Sequence, residues 1–219
     1  MNDKTFLQMK AYNYIKEQIL ENKLEKDVLY SETKLSQEIG VSRTPMREAL
    51  QCLSQDGYIN ILPSRGFTLR QLSERDMLET IQVRCAIEGF CTYLIASDVA
   101  AGMTRGEKLL NDLAFTVNAM KKALKMDDGY QTFLQNDHEF HLLLVNYADN
   151  QEFTQVYQKL MYQIQLTSVS ALAVAGRAEE TLAEHERFLE FLKNGDKNAA
   201  YDALVEHLTM PERMHVAKG

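Results

Sequence analysis

Val41-Ser42-Arg43-Thr44-Pro45-Met46-Arg47-Glu48-Ala49-Leu50 is the stretch that organises this chain. It reads as the start of a short helix with a basic leading edge. Ser42 is a good N-cap, because its hydroxyl can accept from an orphan N–H of the first turn. Pro45 falls within that turn, where a missing N–H costs little. Met46, Ala49, Leu50 and Leu53 follow at helical spacing and suit a core. Arg43 and Arg47 are four apart and share the opposite face. Upstream, Leu35 to Ile39 reads as a helix end, with Gly40 supplying the turn. A helix, a glycine turn and a second helix that opens with exposed arginines form a helix-turn-helix, whose second helix enters the DNA major groove.

Apolar residues at Phe6, Met9, Ala11, Tyr12, Ile15, Ile19 and Leu20 predict a first helix over 6–24. Ser31 is placed to cap a second helix over 32–39, and a third spans 42–55. Asp56-Gly57 is a turn signal. Tyr58 to Leu62 and Phe67 to Arg70 are β-prone and flank Pro63-Ser64-Arg65-Gly66, giving two strands and the tip of a wing. Arg65, beside the permissive Gly66, is then aimed at the minor groove or at phosphates; alone it would read as a solvated turn arginine.

Here the sequence resembles a known family. Val41-Ser-Arg-Thr-Pro-x-Arg-Glu-Ala-Leu50, then Leu53-x-x-Asp-Gly57 and Arg65-Gly66, is similar to the winged helix-turn-helix of GntR-family bacterial transcription regulators. One departure concerns a single turn: the family motif Gly-x-Leu-x-Pro-Gly before the second helix is here Asn22-Lys-Leu-Glu-Lys-Asp27. The resemblance implies a homodimer on an inverted-repeat DNA operator. Arg43 and Arg47 would contact base edges or phosphates, and Ser42 and Thr44 would bond phosphates at the helix N-terminus. Family habit favours repression over activation.

Charge bears on that reading. The 219 residues carry a net charge of −7, unusual for a DNA binder. The acidity is unevenly placed. The first 72 residues hold ten Lys/Arg against nine Asp/Glu, and the remainder fourteen against twenty-two. The N-terminal part is therefore only marginally basic, and binding rests on where Arg43, Arg47 and Arg65 point. No apolar run approaches the roughly 20 residues of a membrane span. Met1-Asn2-Asp3-Lys4 leads into no signal-type segment, so the expected location is the cytoplasm. Cys52, Cys85 and Cys91 form no C-x-x-C pair and read as small buried hydrophobes.

From Ser73 onward the pattern is helical only. Helices are expected over 73–101, from Thr104 to about Met126, over 130–147, from an Asn150 cap to about Ala175, over 177–193, and from an Asp196 cap to about Met210, where Pro211 ends the last. Six helices with short connections make an antiparallel bundle. The fold class is mainly α: a winged helix-turn-helix over 1–72 and a six-helix effector and dimerisation domain over 73–219.

Within the bundle, Asp137 and His141 are four apart and share a helix face, with Cβ atoms roughly 5–6 Å apart. Neighbouring helices carry His185 and His207, and one carboxylate with three imidazoles suits a first-row divalent ion. Spacing by itself favours a surface pair, which is what an Asp and a His four apart on a helix usually form. Asp137-x-x-Phe140-His141, Glu184-His185 and His207-Leu208 resemble the FCD-type effector domain of the FadR-like branch of the GntR family, in its six-helix, VanR-like form. That resemblance implies that Asp137, His141, His185 and His207 hold Zn, alternatively Ni or Mn. His138, one residue off the face, and His215, in the tail, read as solvated or helix-end histidines.

Arg84 and Glu88 are four apart on an otherwise apolar helix and read as an internal salt bridge. The resemblance implies instead that Arg84 borders the ligand cavity and takes a small carboxylate effector through bidentate bonds. A rival from another class is a metal-dependent hydrolase built on the Asp/His cluster, against which no general base stands out. A third reading keeps the regulator and makes its metal purely structural.

Overall fold

The structure is a computed structural model of the chain, and it describes residues 3–20, 23–25 and 27–216. The Cα trace divides into two compact units, Met1–Ser73 and Glu74–Gly219.

In the first unit, α1 (Asp3–Leu20) packs on α3 (Arg43–Gln55), with α2 (Glu32–Ile39) against both. The buried stripe of α1 is Ala11, Ile15 and Ile19, four residues apart, and it meets Met46, Ala49, Leu50 and Leu53 of α3 in one core. Phe6 and Met9 fall off that stripe and stay exposed, although the apolar pattern had included them. Ser31 caps α2 by accepting from Lys34 N. Gly40 ends α2 with φ +72°, the left-handed turn that leads into α3. Ser42 takes the extended N-cap conformation of α3 but makes no side-chain cap bond, contrary to the expectation for its hydroxyl. One reason is that Pro45 has no N–H to offer.

The wing is the antiparallel pair β1 (Ile59–Leu62) and β2 (Gly66–Leu69), in register Ile59↔Leu69 to Leu62↔Gly66. β1 starts one residue later than expected, and β2 is shifted by one residue at both ends; Tyr30 also pairs with Phe67, next to the Gly66 that opens β2. A Cβ at Gly66 would lie 2.0 Å from the Tyr30 carbonyl oxygen, and φ there is +129°. Only glycine fits that approach. Asp27 stands where the family motif has its last glycine. It keeps the left-handed turn, at φ +64°, and its carboxylate accepts from Gln71 Nε2. Asn22 and Lys26 of the same motif lie outside the described residues.

The second unit holds α4 (Glu74–Ala100), α5 (Thr104–Ala123), α6 (Tyr130–Tyr147), α7 (Gln151–Leu172), α8 (Arg177–Lys193) and α9 (Lys197–Val216). All five other helices touch α4. This central position explains why α4 is apolar on most sides, and why Thr80, Arg84, Glu88 and Thr92 are buried along it. The expected caps at Asn150 and Asp196 form: Asn150 Oδ1 accepts from Glu152 N and Phe153 N, and Asp196 Oδ1 from Ala199 N. Pro211 does not end α9, which continues to Val216 around it. The proline forfeits its bond to the His207 carbonyl, and the rest of the helix carries on. Of the cysteines, Cys91 is buried while Cys52 and Cys85 are half-buried. No described helix is long and apolar enough to cross a membrane.

Candidate metal centre and nucleic-acid interface

Helices α6, α8 and α9 bring one ligand atom each from Asp137, His141, His185 and His207 within 4.8 Å of one another. His141 Nε2 lies 3.2 Å from His207 Nε2 and 3.4 Å from His185 Nε2. His185 Nε2 is 3.6 Å from Asp137 Oδ1. The far nitrogen of each ring is engaged. His141 Nδ1 meets Glu88 Oε2 at 2.6 Å, His185 Nδ1 meets the Thr181 carbonyl at 2.8 Å, and His207 Nδ1 meets Glu184 Oε2 at 2.7 Å.

These partners only accept, so each imidazole must donate through Nδ1. Three bare Nε2 lone pairs and a carboxylate then face one another, an arrangement that repels itself unless a cation stands between them. The donor set fits a divalent first-row ion, with the acceptors behind the rings fixing tautomer and orientation. Burial lowers the pKa of His141, and burial with the neighbouring His207 lowers that of His185 to about 3, so both are neutral at pH 7. Burial alone would raise the Asp137 carboxyl. The imidazoles around it, His141 first, become cations as pH falls; their charge outweighs burial and holds it at about 2.

Arg84 lies beside this cluster, 8% exposed. Its Nε donates to Glu88 Oε1 at 2.7 Å, the expected internal salt bridge. Its Nη2 is buried with no hydrogen-bond partner. Arg84 lines one cavity together with Thr80, Asp137, His141, Arg177 and His207. The cavity volume is about 40 Å³, room for a few waters or a small anion.

Sequence reasoning missed three residues here. Arg177 is 4% exposed and grips Glu184 with both terminal nitrogens at 2.7 Å. Glu184 in turn holds His207. Tyr157 donates to Glu88 Oε1 at 3.0 Å from α7. Glu184 stood in the Glu184-His185 motif without a role of its own, and the one sequence trace of its tie to Arg177 was their spacing of seven, on one helix face. His138 is not a solvated residue, since its Nε2 is buried without a partner, and burial lowers its pKa to about 4. The His215 side chain lies outside the described residues.

In the first unit Ser42, Arg43, Thr44, Arg47 and Arg65 are all exposed. Helix α3 and the wing bring Arg43, Arg47, Arg65 and Gly66 to the rim of one hollow, with Glu32 and Gln51. Arg47 Nε is paired to Glu32 Oε1 at 2.8 Å. Ser42 and Thr44 stand at the exposed N-terminus of α3, where backbone N–H groups attract anions.

Residues 79–210 match the FCD domain model, and residues 7–69 match that of bacterial regulatory proteins of the gntR family. The chain belongs to the GntR family and carries an FCD domain. This GntR regulator is 26% identical over 199 residues to the HTH-type transcriptional regulator YdhC of Bacillus subtilis, covering 91% of this chain and 86% of the relative. It is 26% identical over 219 residues to the gluconate operon transcriptional repressor of the same organism, covering 92% and 85%. Among solved structures, E. coli McbR/YncC superposes with a TM-score of 0.75 at 19% identity, over 97% of this chain and 98% of that one. The Zn²⁺-bound FCD domain of TM0439 superposes with a TM-score of 0.51 at 23% identity, over 66% and 94%. These likenesses agree on the fold, a winged helix-turn-helix with a helical second domain. The relatives of this GntR regulator are transcriptional regulators and repressors.

Proposed function

We propose that this GntR regulator is a cytoplasmic, homodimeric repressor that binds an inverted-repeat operator. Its FCD domain holds a divalent metal through Asp137, His141, His185 and His207, and takes a small carboxylate effector against Arg84. The observation that supports this best is the pairing of opposite demands in one cavity. Three Nε2 lone pairs and a carboxylate call for a cation. Arg84 lines the same cavity, and its buried Nη2, without a hydrogen-bond partner, is a group that an anion would satisfy. A carboxylate satisfies the arginine with charge-assisted bonds and can share its oxygens with the ion. When bound, the ion would supply Lewis-acid attraction for that carboxylate, and Arg84 would orient it. A hydrolytic reading is poorly served, because Glu88 and Glu184 are each committed to a histidine and an arginine. Neither is free as a general base.

On the DNA side, Arg43, Arg47 and Arg65 read bases or phosphates, Ser42 and Thr44 bond phosphates, and Gly66 shapes the wing that presents Arg65. Twofold symmetry of the dimer matches a twofold operator. The test begins with duplexes selected from a random library by the wild-type protein. Operator affinity is then measured while small carboxylates are titrated, gluconate included because of the relative noted above. One or more should change affinity 5–150-fold in the wild type, and Arg84→Ala, assayed in excess Zn²⁺ so that the ion site stays filled, should abolish the response. An unaltered response in Arg84→Ala would remove Arg84 from the effector site.

A further inference from the structure

Both buried arginines of the cavity are tied to the histidine cluster through a carboxylate. On α4, Arg84 Nε donates to Glu88 Oε1, and Glu88 Oε2 accepts from His141 Nδ1. On α8, Arg177 donates to both oxygens of Glu184, and Glu184 Oε2 also accepts from His207 Nδ1, across on α9. The two relays share no residue. They end on imidazoles whose Nε2 atoms are 3.2 Å apart. Glu184 and His185 are adjacent in sequence yet serve different rings. His185 offers its own Nε2, whereas Glu184 orients His207.

A neutral imidazole carries one N–H and can place it on either nitrogen. At 3.2 Å, His141 and His207 could satisfy each other through an Nε2–H···Nε2 bond. That tautomer would consume the lone pairs an ion needs. A carboxylate behind each ring prevents it by holding the proton on Nδ1. The arginines keep those carboxylates ionised and fixed in direction, Arg177 through a bidentate grip.

We propose that Glu88 and Glu184 are positioning residues of the metal centre, each locking one histidine in the tautomer that leaves Nε2 bare, with Arg84 and Arg177 locking the carboxylates in turn. The proposal rests on the metal reading given above.

The test measures Zn²⁺ affinity of the tag-free full-length protein by competition with a chromophoric chelator. Melting of the metal-free protein is followed in parallel. Glu184→Ala is expected to lose about 10–100-fold in Zn²⁺ affinity. Glu184→Gln retains an oxygen that can accept from His207 and should lose less. Arg177→Lys keeps the charge but not the bidentate grip, and should also bind Zn²⁺ more weakly than the wild type. If Glu184→Ala fails to fold, Glu184→Gln and Arg177→Lys carry the test. Variants that melt lower without metal yet bind Zn²⁺ as tightly as the wild type would overturn the proposal, because that pattern belongs to a purely structural ion pair. A wild type that takes up no Zn²⁺ is a different outcome: it removes the metal reading itself, and the proposal with it.

Discussion

Gly66 shows how one residue joins the fold to the proposed function. Its missing Cβ lets the Tyr30 carbonyl approach and lets β2 begin next to Arg65. Gly66→Ala should cost more than about 1 kcal/mol, since alanine must adopt a positive φ and also push Tyr30 away. Thermal melting would show it as a lowered transition, and an unchanged melting temperature would mean that the Tyr30 approach is not a constraint. Ser42 illustrates the opposite case. It sits at the N-cap, but with its side chain uncommitted it is free to meet a phosphate. Sequence alone gave it both roles, and the structure leaves the second open. Arg43 is exposed at the same helix start. Arg43→Ala should weaken operator binding by at least about 1 kcal/mol, and equal binding by anisotropy would end its assignment as a DNA contact.

At the scale of elements, the helices of the bundle are tied together by polar pairs that cross between them. Tyr147 on α6 donates to Asp98 on α4 at 2.7 Å. Burial, then the Asp98 partner, pushes the phenol up to about 12. A raised pKa means that the folded state holds the proton more tightly. The contribution is therefore complete below the unfolded value near 10 and is lost as pH rises from there through about 12. The wild type should lose more stability than Tyr147→Phe across that interval in denaturant titrations. Parallel losses would show that the bond contributes nothing.

Most of this architecture was legible in the sequence, because helix periods and caps are local. The bounds of α6 and α8 came straight from the pattern. Pro211 misled the end of α9 because proline removes one bond, and a helix packed on α4 and α8 tolerates that loss. Asp137 and His141 could be placed together from spacing. Bundle topology could bring His185 and His207 to that face, but it took the resemblance to favour the meeting, since contacts between helices leave no mark in spacing. Glu184 escaped for the same reason: its partner His207 is 23 residues away on another helix. Arg84 and Glu88 share a helix, so their salt bridge could be read, but the unpartnered Nη2 beside it could not.

In the whole molecule, an FCD domain that takes a cation and an anion in one cavity is joined to a DNA-binding domain whose affinity is proposed to respond. The first 72 residues carry a surplus of one positive charge. Their affinity for DNA must come from a few placed arginines and fall steeply as salt rises. The proposed metal centre underlies both the effector site and the positioning role of the two carboxylates. The most direct measurement is elemental analysis of protein purified without chelator or histidine tag, beside His185→Ala. About one first-row divalent ion per chain in the wild type, lost in His185→Ala, is the predicted result. No metal in either protein, with no uptake of added Zn²⁺, Ni²⁺ or Mn²⁺ by the wild type, would contradict it.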